Sequence, residues 1–344
     1  VLSAAAMSQR ARGLRRFCGG MRRMVASLVP VVEMLWEPGD ARAALSGRFG
    51  FRSGESAARW VAELLDEHWG VRVDSCERIV MSGGNALAWV GTPGGRMLAK
   101  WSVAPARFAR LAEVARVTSW LRGREVPVSA PVPARDGRLQ VEVDGVSVGL
   151  QHEIAGDLLD ISHPVLVRAA GATVARLQAA LAVYPYAEKL GKITAVRKGL
   201  GERVVGWLDG SAGHLPVEAR DTLRARVAAA PPDRLAGQLV HFDFRSANVL
   251  CAGDEVAAVL DFEEARHDHR LVELARAAVL LGTRYHDWGP VSAEVRAEFF
   301  AGYESVCPLT ADEAAWLDIL VRWQALMMVP RGDDPTGWGA SALG

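Results

Sequence analysis

Val240–Cys251 reads V-H-F-D-F-R-S-A-N-V-L-C, and Ala258–Glu263 reads A-V-L-D-F-E. Asn248–Cys251 and Val256–Asp261 are short apolar runs joined by Ala-Gly-Asp-Glu, a turn sequence. A four-residue hairpin loop sets Cys251 opposite Val256 and Asn248 opposite Val259. Asp261 then falls on the same face as Asn248, as a diagonal neighbour about 7–8 Å away at the backbone. Two oxygen-bearing side chains at that spacing converge on one hard cation. Magnesium takes one or two such ligands from protein and the rest from water and phosphate. Asp243, in the loop ahead of the hairpin, stands where it orients a hydroxyl and accepts its proton. The segment reads as a metal-phosphate site with an adjacent base.

The same region supports a different chemistry. His241, Asp243, Asp261, His267, Asp268 and His269 form a His/Asp-rich set of the kind that binds two transition metals in a hydrolase. That reading leaves Asn248, and the upstream features described next, without roles.

Upstream, Met81–Val90 reads M-S-G-G-N-A-L-A-W-V, a glycine-containing turn between two strand patterns. By themselves Ser82, Gly83, Gly84 and Asn85 suit an ordinary hairpin turn, and glycines also let backbone N–H groups approach phosphate oxygens. Lys100 follows at the end of the next strand, and it is the first of only four lysines. Glu113 is the sole acid between Lys100 and Glu125 and lies within a predicted helix.

The elements that position these residues follow from periodicity. Ser53–Trp69 reads as a helix with Ser56 as a cap and an apolar stripe through Ala57, Trp60, Val61, Leu64 and Leu65. Short strands follow at Val71–Val73, Arg78–Met81, Ala86–Val90 and Met97–Trp101, then a helix from Pro105 to Arg122. Leu139–Val143 and Val146–His152 read as a hairpin around Asp144-Gly145. Beyond Gly156 the chain is mostly helical, with Ser162 capping a helix that has Pro164 in its first turn. Further helices are expected near 200–208, 216–229, 271–282, 293–306 and 311–329. The outline is α+β: a small β-rich lobe, an extended hinge near 150–156, and a larger helical lobe.

His241-x-Asp243-x4-Asn248 followed by Leu260-Asp261-Phe262 resembles the catalytic loop and metal-binding segment of the aminoglycoside phosphotransferase (APH-like) kinases. That family shares the bilobal protein-kinase architecture and also includes choline, homoserine and methylthioribose kinases. The resemblance implies ATP and Mg2+ bound between the lobes, with Asp243 as the catalytic aspartate and His241 bracing its loop. It implies Asn248 and Asp261 as magnesium ligands, Lys100 on the α- and β-phosphates, and Glu113 as the lysine's partner. Leu150–Ile154, including Gln151 and Glu153, becomes the hinge whose backbone holds adenine. Asp261 stands where protein kinases have the aspartate of D-F-G, with Glu263 replacing the glycine. Leu271–Ala275 resembles the family's next helix start, with Glu273 in place of its usual aspartate. The resemblance covers residues 75 to 330.

The acceptor pocket is then expected from the helical lobe after Asp261, with Glu263, Glu264 and Asp268 as candidates beside Tyr285, Asp287, Trp288 and Trp323. Acids there suit an amine-bearing hydroxyl compound, such as an antibiotic, amino sugar or amino alcohol. A serine or threonine of a peptide is an alternative acceptor, and a non-catalytic nucleotide-binding module is another reading.

Composition sets outer bounds. The 344 residues carry 40 basic and 40 acidic side chains and are 50% apolar, which excludes a disordered chain and any strong bulk attraction to nucleic acid or an anionic membrane. The four cysteines are scattered without a C-x-x-C pair, as in a reduced cytoplasmic protein. Residues 1–35 read as an Arg-rich, disordered extension or an over-long start, 36–151 as the nucleotide-binding lobe, 152–330 as the helical lobe and 331–344 as a disordered tail.

Overall fold

The computed structural model describes residues 29–191, 198–233, 235 and 237–343. It divides into two compact units, one formed by residues up to Ser119 with Ser129–Glu153, the other by Trp120–Val128 with Ile154 onward. The Arg-rich stretch through residue 28 lies outside the described residues.

The first unit is built on a six-stranded sheet. β1 (Val31–Met34) pairs in parallel with β2 (Ser75–Ser82), so the end of the supposed extension is a sheet edge. β2, β3 (Asn85–Thr92) and β4 (Gly95–Ser102) form an antiparallel meander, and β4 pairs onward with β6 (Val146–His152), which pairs with β5 (Val141–Val143). Val71–Val73, expected as a strand, is irregular backbone leading into β2. Two helices, α1 (Ala41–Phe49) and α2 (Gly54–Trp69), precede the meander. α2 begins at Ser53, not Ser56: Ser53 Oγ accepts the Ser56 N–H and Ser56 Oγ accepts the Ser53 N–H, a reciprocal capping box. Ala57, Ala58, Val61, Leu64, Leu65 and Trp69 form its buried stripe. They join Ile79, Met81, Ala88, Ala99, Trp101 and Leu150 in one core. A 3₁₀ turn at Pro105–Arg107 leads into α3 (Phe108–Arg122).

The second unit is mainly helical. Its sheet elements are small: β7 (Asp157–Leu158), β9 (Val249–Ala252) and β10 (Glu255–Val259) form one ladder, and β8 (Gly237–Val240) pairs with β11 (Arg266–His269) in another. Its helices are α4 (Pro164–Ala182), α5 (Leu200–Gly210), α6 (Val217–Ala228), α7 (Arg270–Leu280), α8 (Ala293–Glu304), α9 (Ala311–Met328) and α10 (Trp338–Leu343). Trp120–Val128 belongs here, because Val126 and Val128 are buried and Val128 bridges to Val259. The N-cap of α4 is His163, one residue past the expected Ser162, and Pro164 opens the helix. α4 is long and apolar enough to cross a membrane, but it is a core helix with Val167, Val174, Leu177 and Leu181 buried.

The tail expected to be disordered is ordered. Asp334 accepts the N–H groups of Gly337, Trp338 and Gly339, which starts α10. Trp338 packs with Val279 and Leu280, and its indole N–H donates to the Trp288 carbonyl at 2.6 Å. Burial of Trp338, with its donor satisfied, and of Ala342 holds a helix too short to persist alone.

Candidate active site

The segment that carries His241, Asp243, Asn248 and Asp261 runs from the end of β8 to just past β10. Its first device is His241, which is fully buried. His241 Nδ1 accepts the Asp243 N–H at 3.1 Å, so Nε2 carries the proton and donates to the Leu260 carbonyl at 2.8 Å. One imidazole thus ties the Asp243 loop to the residue preceding Asp261. Its ring meets that of Phe262 edge-on, 4.5 Å between centroids.

The second device is strain. Phe242 and Asp261 have φ of 70° and 56°, left-handed values that side chains with a Cβ avoid. Phe242 is held there by α7: its N–H donates to Glu273 Oε1 at 2.8 Å, and its carbonyl accepts from Arg276 Nε at 3.1 Å. Glu273 is buried and also accepts from Gln178 Nε2 at 2.7 Å. Burial pushes its carboxyl above the usual range, against the pull of the Phe242 N–H, His241 and Gln178. The residue standing in for the usual aspartate is therefore a loop anchor, with one oxygen on the Phe242 N–H and the other on Gln178 of α4.

Asp243 itself is held from both sides. Its Oδ1 accepts from Arg245 Nε at 3.0 Å and its Oδ2 from Asn248 Nδ2 at 2.7 Å. The same amide donates to the Asp243 carbonyl at 2.9 Å. With its nitrogen committed to Asp243, the Asn248 amide presents its oxygen elsewhere. Asn248 lies in a 3₁₀ turn, and its carbonyl accepts the Leu260 N–H at 2.8 Å. The hairpin register departs from expectation here. Cys251 faces Val256, but a bulge between Val256 and Ala258 makes Val249 face Val259. Asn248 is consequently opposite Leu260, next to Asp261 in sequence, rather than two residues from it. Asp261 is exposed, and its Oδ1 accepts the Glu263 N–H at 3.4 Å. The expectation that set Asn248 and Asp261 on one strand face rested on the other register, in which Asn248 faced Val259. Among the described residues no group of three or more His, Cys, Asp or Glu side chains gathers as a metal site, so His267 and His269 do not assemble with the aspartates.

In the first unit, Gly83-Gly84 makes the two-residue turn between β2 and β3, with Gly83 at φ 56°. The Gly83 N–H donates to Glu37 Oε1 at 2.6 Å, and Glu37 is held by Arg48. That arginine and that amide keep the Glu37 carboxyl below its ordinary range. Ser82 and Asn85 face each other across the turn. Lys100 pairs with Leu87 and Gly149 in the sheet. Glu113 accepts from Arg116 of its own helix, while its Oε2 is buried without a hydrogen-bond partner among the described residues. Gln151 exchanges hydrogen bonds with Ser129, and Glu153 pairs with Arg96 at 2.9 Å.

Within the second unit a cavity of 690 Å³ opens beside Phe242. Glu264 lines it, but Asp268 does not. Asp268 is only 1% exposed, and both its oxygens are engaged by Arg203 at 2.6 and 3.0 Å. Burial forces that pairing, because an isolated carboxylate there would be too costly. Arg245, Arg203, Arg266 and Arg276 were not legible as site residues: each acts across elements, and only the position of Arg245, two residues past Asp243, offers a local hint.

A β-rich unit with a glycine turn and a strand lysine, followed by a helical unit with this strained aspartate loop, is the protein-kinase-like fold. The model of the phosphotransferase enzyme family (APH) matches residues 77–318, and the chain belongs to that family. Homoserine kinase of Methylobacillus flagellatus is 30% identical over 208 residues, 58% of this chain; the chain spans 61% of the length of that relative. The fold is similar to that of the macrolide 2'-phosphotransferase MphH from Brachybacterium faecium (TM-score 0.54, 16% identity, 78% of this chain and 90% of that one). It is also similar to a microcompartment-associated aminopropanol kinase (TM-score 0.51, 19% identity, 83% and 93%).

Proposed function

We propose that this chain is an ATP-dependent O-phosphotransferase acting on a small hydroxylated molecule. The observation that carries the reading is the fixing of Asp243 by Arg245 and Asn248 in a loop strained at Phe242 and anchored on Glu273. A carboxylate held by two donors has one orientation available. It can accept a hydroxyl proton late in transfer, while the acceptor oxygen bonds to the γ-phosphorus and the bond to the β,γ-bridging oxygen breaks, releasing ADP.

The other roles follow from chemistry. Asn248 and Asp261 are the oxygen donors suited to hold magnesium, which would supply charge neutralisation at the phosphates. Lys100 supplies a point charge for the α- and β-phosphates, and the unsatisfied buried oxygen of Glu113 suits a lysine partner. Ser82 to Asn85 form the phosphate turn, with the Gly83 N–H shared by Glu37. The backbone of Leu150–Ile154 receives adenine. The acceptor is a small alcohol, as the names of the homoserine and aminopropanol kinases suggest.

The test separates binding from transfer. Asp261→Ala should weaken magnesium-dependent ATP binding, and Asp243→Ala should retain binding but lose about 10²–10⁴-fold in transfer. Wild-type transfer rates in Asp243→Ala would refute the assignment.

A further inference from the structure

The cavity beside Phe242 has a charge that the whole chain lacks. Lys198, Arg203, Arg266 and Arg276 line it against only Glu202 and Glu264, in a protein whose net charge is zero. The cations are not equally committed. Lys198 pairs with Glu202 at 3.1 Å, and Arg203 is spent on Asp268. Arg266 reaches Asp268 only at 3.7 Å and lies over the Phe242 ring, 3.2 Å from its centroid. Arg276 gives its Nε to the Phe242 carbonyl, and Asp243 and Glu264 act on it from beyond ion-pair distance. Burial lowers the affinity of both Arg266 and Arg276 for their protons and neighbouring arginines add to the effect, while Asp268 and Glu264 oppose it at Arg266 and Asp243 and Glu264 oppose it at Arg276. Two arginines crowded and partly desolvated on one wall are poised for an anion.

A second observation comes from Trp323. Trp323 lines the cavity, is 5% exposed, and its buried indole N–H has no acceptor among the described residues. A donor left unpaired at a cavity costs stability unless a ligand oxygen meets it. Phe242 of the Asp243 loop lines the cavity, though Asp243 itself does not, and the lining Arg276 both holds the Phe242 carbonyl and interacts electrostatically with Asp243.

We propose that this cavity receives the acceptor and that Arg266 and Arg276 bind a carboxylate on it, so the substrate is a small hydroxy acid rather than a polycationic alcohol. The inference rests on the phosphotransferase reading above and reverses the sequence-based expectation of an acidic acceptor pocket. Glu264 at the rim leaves room for an amine beside the carboxylate, as in a hydroxy amino acid.

The experiment compares 4-hydroxybutyrate and L-homoserine with their primary amides and with 4-amino-1-butanol, in ATP-dependent transfer and in calorimetric binding. Wild type should favour the carboxylates at least tenfold in kcat/KM. Arg266→Gln should raise KM for the carboxylates at least tenfold with kcat little changed, and leave KM for the amides unmoved; Arg266→Lys should recover part of the loss. Should no panel member accept phosphate, calorimetry decides: tighter binding of the carboxylates, lost in Arg266→Gln, sustains the proposal, and equal or absent binding overturns it. Amides or the amine used as well as the carboxylates, or a preference that survives Arg266→Gln, also overturns it. ATP–magnesium binding by the same wild-type protein is measured separately. Its absence would refute the phosphotransferase reading, whereas its presence without carboxylate preference would refute only the assignment of this cavity.

Discussion

At the residue scale, the site is a chain of single commitments. His241 spends both ring nitrogens on backbone, Asn248 spends its nitrogen on Asp243, and Glu273 spends both oxygens on Phe242 and Gln178. Glu273→Ala should orphan two buried donors at about 1–3 kcal/mol each, and thermal denaturation should register the loss. Glu273→Gln, which keeps an acceptor oxygen, should lose far less. Equal destabilisation by the two variants would contradict the anchor role. The spacing of His241, Asp243, Asn248 and Asp261 was legible because one loop and one hairpin carry them all. Arg276 was not, because its partner is a peptide carbonyl 34 residues away. Asp268 was misread for a related reason: its neighbours in sequence are polar, but its partner Arg203 is on the distant helix α5.

At the element scale, backbone contact decides more than pattern does. α4 and α8 cross so closely that a Cβ on Gly171 would lie 2.0 Å from the Phe299 carbonyl, and one on Gly302 as near the Arg168 carbonyl. Gly171→Ala must therefore push the helices apart, and a loss of about 1–3 kcal/mol or more is expected in denaturant titration. Wild-type stability would show that the helices have slack. The α10 helix supplies a pH prediction. Backbone N–H groups hold the Asp334 carboxyl below its ordinary value, so its contribution is present above about pH 4, the unfolded value, and is lost as pH falls through the depressed folded one. Trp338 fluorescence should follow that loss in wild type and should be altered at neutral pH in Asp334→Ala. Helix and strand positions were largely legible from period and turn residues. The bulge after Val256 was not, because V-A-A-V has no alternation to fix its register. Nor was α10, whose order depends on the tertiary contacts of Trp338 with Val279, Leu280 and the Trp288 carbonyl.

At the scale of the whole molecule, composition was a poor guide to the site. A balanced 40 against 40 charges concealed a cavity with four cations and two carboxylates. The family was legible because its motif lies in one contiguous stretch, and the match over residues 77–318 extends well beyond that stretch. The cavity proposed for the acceptor was not, since its walls come from α5, α7, α9, β11, the Phe242 loop and the Glu264 turn, which only folding assembles. The most direct test of the account is transfer of labelled γ-phosphate from ATP–magnesium to a small hydroxylated acceptor by wild type and Asp243→Asn, with nucleotide binding measured on both. The account predicts transfer by wild type, a loss of about 10²–10⁴-fold in the variant, and similar nucleotide binding by the two. Comparable transfer by both proteins, or no nucleotide binding by wild type, would contradict it.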